Sequence, residues 1–167
     1  MKTPIDSLRP SISVRPAEAQ DIDVILQFIR ELAEYERLSH EVVADEELLQ
    51  QFLFGERPAA EAIIAEYETA PAGFALFFQT FSTFLGRPGL YLEDLYVNPS
   101  MRDKGIGKAL LRYIARLAVE RGFGRLEWSV LDWNESAVRF YERLGADAMD
   151  DWIVYRLTDD ALAALSR

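Results

Sequence analysis

The sequence predicts one mixed α/β domain whose front half is an antiparallel sheet. Three observations support this fold class: the hydrophobic period changes repeatedly between about two and about 3.6 residues, prolines and glycines fall singly between the periodic segments, and two β-rich segments in the middle read as a hairpin. With 167 residues, 50% of them hydrophobic and 28% charged, the chain can bury one stable core. The predicted element order is β-α-α-β-β-β-α-β-α-β.

The first half of the sequence predicts a strand, two helices and the hairpin. Ile12 and Val14 alternate as a strand that Pro16 ends. Apolar residues then recur at helical spacing, and a second, shorter helix stops at Gly55. A Thr-Ala-Pro-Ala turn region joins the two strands of the hairpin. The predicted bounds are a strand at 12–16, helices at 21–35 and 45–54, and strands at 61–67 and 73–81.

The second half alternates strands and helices. A strongly amphipathic helix ends near Gly122. Asn134 is a good N-cap for the next helix, and Gly145 closes that helix. The predicted bounds are strands at 91–97, 125–130 and 152–157, helices at 106–122 and 134–144, and a short C-terminal helix from Asp159. Residues 1–10 are predicted to be a polar leader, and one domain is predicted over residues 11–167.

Charge and composition argue against several classes of function. A formal charge of −10 is the wrong sign for a nucleic-acid-binding protein and agrees with a cationic substrate, although net charge alone favours acidity for solubility. Without cysteine, and with His40 as the one histidine in a polar stretch, we expect no metal site and no histidine-based triad. No apolar run suits a signal peptide or a membrane span, so we expect a cytoplasmic protein.

A basic, glycine-containing loop precedes the helix at 106–122. The segment VNPSMRDKGIGK leaves a strand and enters the helix through two glycines, an arrangement that points backbone N–H groups at an anion. Residues 102–121 hold six basic residues and two acidic ones, against the trend of the whole chain. Arg102 and Ala109 break a Walker motif, and Leu110 breaks a dinucleotide-binding one. The loop therefore predicts phosphate binding of another kind, with a solvated basic turn as the alternative.

The pattern Arg102-x-x-Gly105-x-Gly107, followed by Asn134 and RFYERLGA, resembles the GCN5-related N-acetyltransferase (GNAT) superfamily, which binds acetyl-CoA. The segments ELAEYE, LYLEDLYV and DWNESAVRFYERLGA are similar to the diamine (spermidine/spermine) and thialysine acetyltransferases within it. The resemblance implies a mostly antiparallel central sheet flanked by helices. It also implies a homodimer, in which residues 152–157 are the candidate for packing across the subunit interface.

The resemblance further implies contacts with acetyl-CoA at three places. The backbone of a strand whose neighbour splays away can pair with the extended pantetheine arm, the glycine loop binds the pyrophosphate, and the start of the following helix lies farther along the CoA. The residues so implied are Leu95, Tyr96, Val97, Arg102, Asp103, Lys104, Gly105, Ile106, Gly107, Lys108, Asn134, Glu135, Ser136 and Ala137.

Catalytic roles follow from the resemblance as well. Tyr141 would protonate the departing CoA thiolate, although helical spacing alone would make Tyr141 a core residue. Glu93 and Asp94 are acids inside an apolar strand, where a carboxylate needs a partner. Glu93 would accept the proton of the substrate ammonium and Asp94 would help to bind it; a salt bridge to an arginine is the alternative for both. The amine pocket would also contain Tyr35, Glu36, Asp150 and Asp151.

The sequence thus predicts an acetyl-CoA-dependent N-acetyltransferase that acts on a primary amine of a small, diamine-like cation. Transfer would be direct, in a ternary complex of enzyme, acetyl-CoA and amine. Two alternatives stay open: an acceptor that is a lysine-like or thialysine-like amino acid or a protein amine, and a non-catalytic domain that binds acetyl-CoA as a sensor. The interpretation as a purely aromatic interaction module leaves the basic loop unexplained.

Overall fold

The computed structural model of the protein describes residues 11–167, so the predicted leader at 1–10 lies outside the described residues. The chain divides into two compact units, the first ending at Ser129 and the second comprising Val130–Arg167. The single domain predicted over residues 11–167 spans both units and stays a prediction. No helix within residues 11–167 combines the length and the apolarity needed to cross a membrane.

The first unit is built on a five-stranded sheet. Its elements are β1 (Ile12–Pro16), α1 (Ile22–Tyr35), α2 (Glu46–Phe54), β2 (Glu61–Tyr67), β3 (Ala70–Ser82), β4 (Arg87–Val97), α3 (Ile106–Glu120) and β5 (Leu126–Trp128). The strands lie in chain order across the sheet. Pairs β1–β2, β2–β3 and β3–β4 are antiparallel, and β4–β5 is parallel. The predicted fold class and its antiparallel front half are confirmed.

Helices cover both faces of this sheet. Ile63 and Ile64 are neighbours on β2 and are both buried, so each face of the strand carries core. Ile64 belongs to a cluster with apolar residues of α1 and α2. The helix α3 packs across β1 to β4, and its buried residues, such as Leu110 and Ile114, supply the core of the other face. We call the two faces of the sheet the α1 face and the α3 face.

The β2–β3 hairpin turns earlier than predicted. Tyr67 pairs with Ala70, so the loop has two residues, Glu68 and Thr69, with φ of 50° and 73°. This is the left-handed geometry that two-residue hairpin loops favour. Pro71 had indicated a turn, but it lies within β3 beside a register shift in the β2–β3 ladder, where a missing N–H is tolerated.

The second unit contains two helices, α4 (Glu135–Glu142) and α5 (Asp159–Leu165). Asn134 caps α4 as predicted, because its side chain accepts a hydrogen bond from the Ala137 N–H at 3.3 Å. The predicted last strand at 152–157 is wrong for this chain: these residues have no regular secondary structure. Their β-forming side chains are not sufficient, because a strand also needs a neighbouring strand to complete its hydrogen bonds.

Candidate active site

A β-bulge interrupts β4 at the acidic pair. Leu76 of β3 faces Asp94, and the next residue, Phe77, faces Leu92, so Glu93 is an extra residue in β4. Residues directly opposite one another in an antiparallel pair share a face. Asp94 therefore shares the α1 face with Leu76, which packs against the α1–α2 core cluster. Glu93 is exposed, whereas Asp94 is partly buried.

The bulge also turns the backbone of β4 toward an open edge. The Asn98 N–H donates to Ala72 O on the β3 side at 2.9 Å, so the period of two directs Leu95 and Val97 away from β3. The β4–β5 ladder pairs only residues 90–92 of β4, because β5 ends at Trp128. Beyond Leu92, none of the strands described pairs with β4 on that side. An extended ligand can form hydrogen bonds with this free edge.

Three carboxyl groups converge where α1 ends over β4. Burial, followed by the negative charges of Glu93 and Glu36, raises the pKa of Asp94 to about 6. Burial also raises the pKa of Glu36, the residue that follows α1. The chain thus holds a partly buried carboxyl among like charges beside the open edge, an arrangement that suits binding of a cation and acceptance of a proton.

Asp94→Asn is expected to stabilise the fold above pH 6 by about 2 to 3 kcal/mol, because ionised Asp94 is penalised in the folded state. The carboxyl titrates near 3.8 when the chain is unfolded and near 6 when it is folded. The penalty is therefore absent below pH 3.8, grows up to pH 6 and is complete above it. Urea unfolding of both proteins at pH 4 and pH 8 measures this. A stability difference that does not change with pH would contradict it, and Glu56→Gln, at an exposed carboxyl outside this cluster, is the control.

A buried tyrosine ties β4 to α1. The Tyr96 hydroxyl donates to Glu31 Oε2 at 2.7 Å, and its ring lies 5.4 Å from the ring of Phe28. Burial, followed by this hydrogen bond, raises the pKa of Tyr96, so it stays a neutral donor. The sequence analysis named Tyr96 for its backbone alone. The strand period indicates that its side chain points inward, but the pairing with Glu31 depends on where α1 lies.

The glycine loop has the geometry of an anion site. Asp103 and Gly105 both have positive φ, 61° and 90°, at the start of α3. A Cβ placed on Gly105 would meet no heavy atom within 4 Å, so the space over the loop is open. Lys104 and Lys108 are exposed beside it. These residues fit a pyrophosphate group, since a helix N-terminus and two lysines favour negative charge.

Two cations of the loop also touch aromatic rings of neighbouring elements. The Arg102 guanidinium lies 4.9 Å from the ring centroid of Tyr35 at the end of α1, and its Nε donates to Val97 O at 3.3 Å. Lys104 Nζ lies 5.3 Å from the ring centroid of Tyr67. Arg102 therefore connects the loop, the end of β4 and a predicted wall of the amine pocket. No sequence signal pointed to Tyr67, which has the pattern of an ordinary strand residue.

The remaining predicted residues lie in the second unit. Tyr141 is on α4, with its ring 5.4 Å from that of Phe140. Glu135 forms an ion pair with Arg139 at 2.9 Å. Asp150 and Asp151 are exposed in a turn. Within residues 11–167, no group of three or more acidic or histidine side chains lies close enough together to hold a metal ion.

One family model, two relatives and one solved structure each match most of this chain. A model of the Acetyltransferase (GNAT) family matches residues 25–146. The thialysine N-epsilon-acetyltransferase of Mus musculus is 37% identical, covering 93% of this chain and 98% of the relative. The L-ornithine N5-acetyltransferase of Arabidopsis thaliana is 33% identical, covering 92% and 87%. A solved integron cassette protein from V. cholerae is 28% identical with a TM-score of 0.77, covering 94% and 98%.

Proposed function

Because this chain belongs to the GNAT acetyltransferase family and is an N-acetyltransferase, we propose that it transfers the acetyl group of acetyl-CoA to a primary amine of a small, diamine-like or polyamine-like cation. The observation that carries the proposal is the cluster of Glu36, Glu93 and Asp94 beside the open edge of β4. A carboxyl cluster attracts an alkylammonium ion, and the edge offers backbone groups to an extended cosubstrate.

Acetyl-CoA, when bound, supplies a thioester carbonyl that the amine can attack. In this proposal the loop 102–108 holds the pyrophosphate through its N–H groups, Lys104 and Lys108. The backbone of Leu95 and Val97 binds the pantetheine amides, and the N–H near Leu95 polarises the carbonyl oxygen. Residues 134–137 contact the CoA farther along, and Tyr141 gives the thiolate its proton. Transfer is direct, so the chain needs no covalent intermediate.

The acceptor amine must lose a proton before it attacks. An alkylammonium has a pKa of about 10.4, so nearly all of it is protonated at neutral pH. Glu93 was predicted to accept the proton and Asp94 to bind the amine. The burial of Asp94 and its pKa of about 6 favour Asp94 as the first acceptor, with exposed Glu93 passing the proton to water. We propose that Tyr35 and Glu36 complete this end of the pocket, with Asp150 and Asp151 as further acidic contacts.

The amino-acid acceptor is the second candidate, and one observation favours it. Arg125 lies beside β5, where its Nε contacts Glu127 at 2.6 Å, and Glu127 faces Tyr91 on the α1 face. A guanidinium at this place can bind the carboxylate of an amino acid. The relatives named for thialysine and ornithine also support an acceptor of this kind.

We expect amine-dependent release of free CoA from acetyl-CoA by the purified protein. The panel pairs ornithine with putrescine and lysine with cadaverine, since each pair differs by one carboxylate, and adds thialysine, spermidine and a lysine peptide. Faster turnover of the amino acid in each pair identifies the second candidate, and faster turnover of the diamine identifies the first. If no amine accelerates release while acetyl-CoA still raises the Tm, the small-amine proposal fails in favour of a protein acceptor outside the panel or of a sensor.

We further propose a cytoplasmic homodimer that uses small-molecule partners and binds neither nucleic acid nor membranes. The cysteine-free sequence and the formal charge of −10 support this. Support for the dimer comes from the exposed apolar segment at 152–157, in which Trp152 is 73% and Tyr155 is 89% exposed. Such a segment is suited to pairing with a second copy of the chain.

A further inference from the structure

Two aromatic rings lie side by side on the α1 face, outside the α1–α2 core cluster. Phe78 and Tyr91 face each other across β3 and β4, with ring centroids 5.4 Å apart and planes 34° apart. The period of two along β3 places Phe74, Leu76 and Phe78 on one face. Phe74 and Leu76 belong to or pack against the α1–α2 core cluster, whereas Phe78 does not. Phe78 and Tyr91 are only partly buried.

The ring pair adjoins the acidic cluster. Leu76 faces Asp94 and Phe78 faces Tyr91, so the pair follows Asp94 along the strands on the same face. The separation is two residues of β3, or about 7 Å. The four-carbon stem of a lysine-type amine is of similar length. A ligand with its ammonium at Asp94 can therefore lay its stem over the two rings.

Hydrogen bonding fixes the position of Tyr91. The Tyr91 hydroxyl lies 2.6 Å from the Ser129 hydroxyl, which holds the tyrosine at the sheet edge near β5. The ring face stays available while the polar end is satisfied, as is usual for a tyrosine with one apolar and one polar side. Phe78 has no polar group and contributes only apolar surface.

We propose that Phe78 and Tyr91 form an aromatic shelf that binds the methylene stem of the acceptor amine and selects its length. This rests on the proposed function, since it concerns the acceptor of the same site. Charge complementarity determines the occupant: one end of the shelf is acidic, so an apolar chain bearing a terminal ammonium fits, and a neutral or anionic chain does not.

The test measures how activity depends on stem length. In the wild-type protein, kcat/KM over a series of primary amines with increasing numbers of methylenes should rise about threefold to fourfold per methylene until the shelf is covered. Phe78→Leu and Tyr91→Leu should flatten this dependence and raise the KM of the longer amines about tenfold, leaving the KM of acetyl-CoA unchanged. Tyr91→Phe keeps the ring and should keep the dependence.

Phe81→Leu is the matched control, because Phe81 is on the same strand three residues away, on the opposite face, and is exposed. Circular dichroism and Tm establish that each variant is folded. Calorimetric titration with the same alkylamines, in the absence of acetyl-CoA, measures their binding affinity without turnover. If the wild-type protein binds the series with the predicted length dependence but acetylates none of it, the proposed function fails and the shelf stands. If the Leu variants keep the wild-type length dependence in binding and turnover, the shelf is refuted.

Discussion

Tyr141→Phe is expected to lower kcat about 100-fold and to leave the KM of acetyl-CoA unchanged. The substitution removes only the hydroxyl, so the ring contact with Phe140 remains. In the proposed mechanism this hydroxyl protonates the CoA thiolate, and a positioned general acid contributes about 10² to 10⁴ in rate. A phenol of pKa about 10 can protonate an alkyl thiolate, whose thiol has a pKa of about 8.5.

Steady-state release of CoA at saturating amine measures this loss. Tyr155→Phe is the matched control, since Tyr155 lies in the same compact unit, is 89% exposed and has no proposed part in proton transfer. If Tyr141→Phe keeps the wild-type kcat, another group or water protonates the thiolate. A Tyr141→Phe protein with a lowered Tm would instead assign Tyr141 to the packing of its helix, the role that helical spacing alone predicts.

Asp94→Asn is expected to lower kcat/KM for the amine about 100-fold at pH 7.5. The substitution removes the carboxyl that receives the proton in the proposed mechanism and preserves the size of the side chain. In the wild-type protein, kcat/KM should fall about tenfold per pH unit below pH 6, because Asp94 is then protonated and cannot accept another proton. This acidic limb should be absent in Asp94→Asn.

The variant Glu93→Gln distinguishes the roles of the two carboxyl groups, Glu93 and Asp94. If Glu93 only passes the proton to water, Glu93→Gln should lose less activity than Asp94→Asn and should retain the acidic limb, the fall of kcat/KM at low pH. That limb should begin at a lower pH than in the wild-type protein, because one negative charge that raises the pKa of Asp94 is gone. Loss of the limb in Glu93→Gln but not in Asp94→Asn would return the role of proton acceptor to Glu93, as the sequence motif implies.

Local chemistry explains what the sequence could predict. The glycine-containing turn into α3 and the N-cap at Asn134 are properties of short segments, and both were predicted at the right places. The bulge at Glu93 was not predicted, because it depends on the register between β4 and its partner strand. Alternation alone would place Glu93 and Asp94 on opposite faces, with no reason to choose which one is buried.

Contacts between distant segments explain most of what was missed. The pairs Tyr96–Glu31 and Phe78–Tyr91 join residues of different elements, so their roles depend on helix placement and strand register. The last strand was expected because residues 152–157 favour extended structure, but local preference does not supply a partner strand.

The bulge changes which residues of β4 direct their backbone groups to the β5 edge, from even-numbered residues before it to odd-numbered residues after it. Upstream of it, the even-numbered Leu90 donates its N–H to Arg125 O at the β5 edge at 3.0 Å, whereas downstream the odd-numbered Leu95 and Val97 point to that edge. Removing one residue would exchange odd for even, and the backbone groups of Leu95 and Val97 that now face the open edge would turn into the sheet. The length of this strand is therefore constrained in steps of two, whatever side chains it carries.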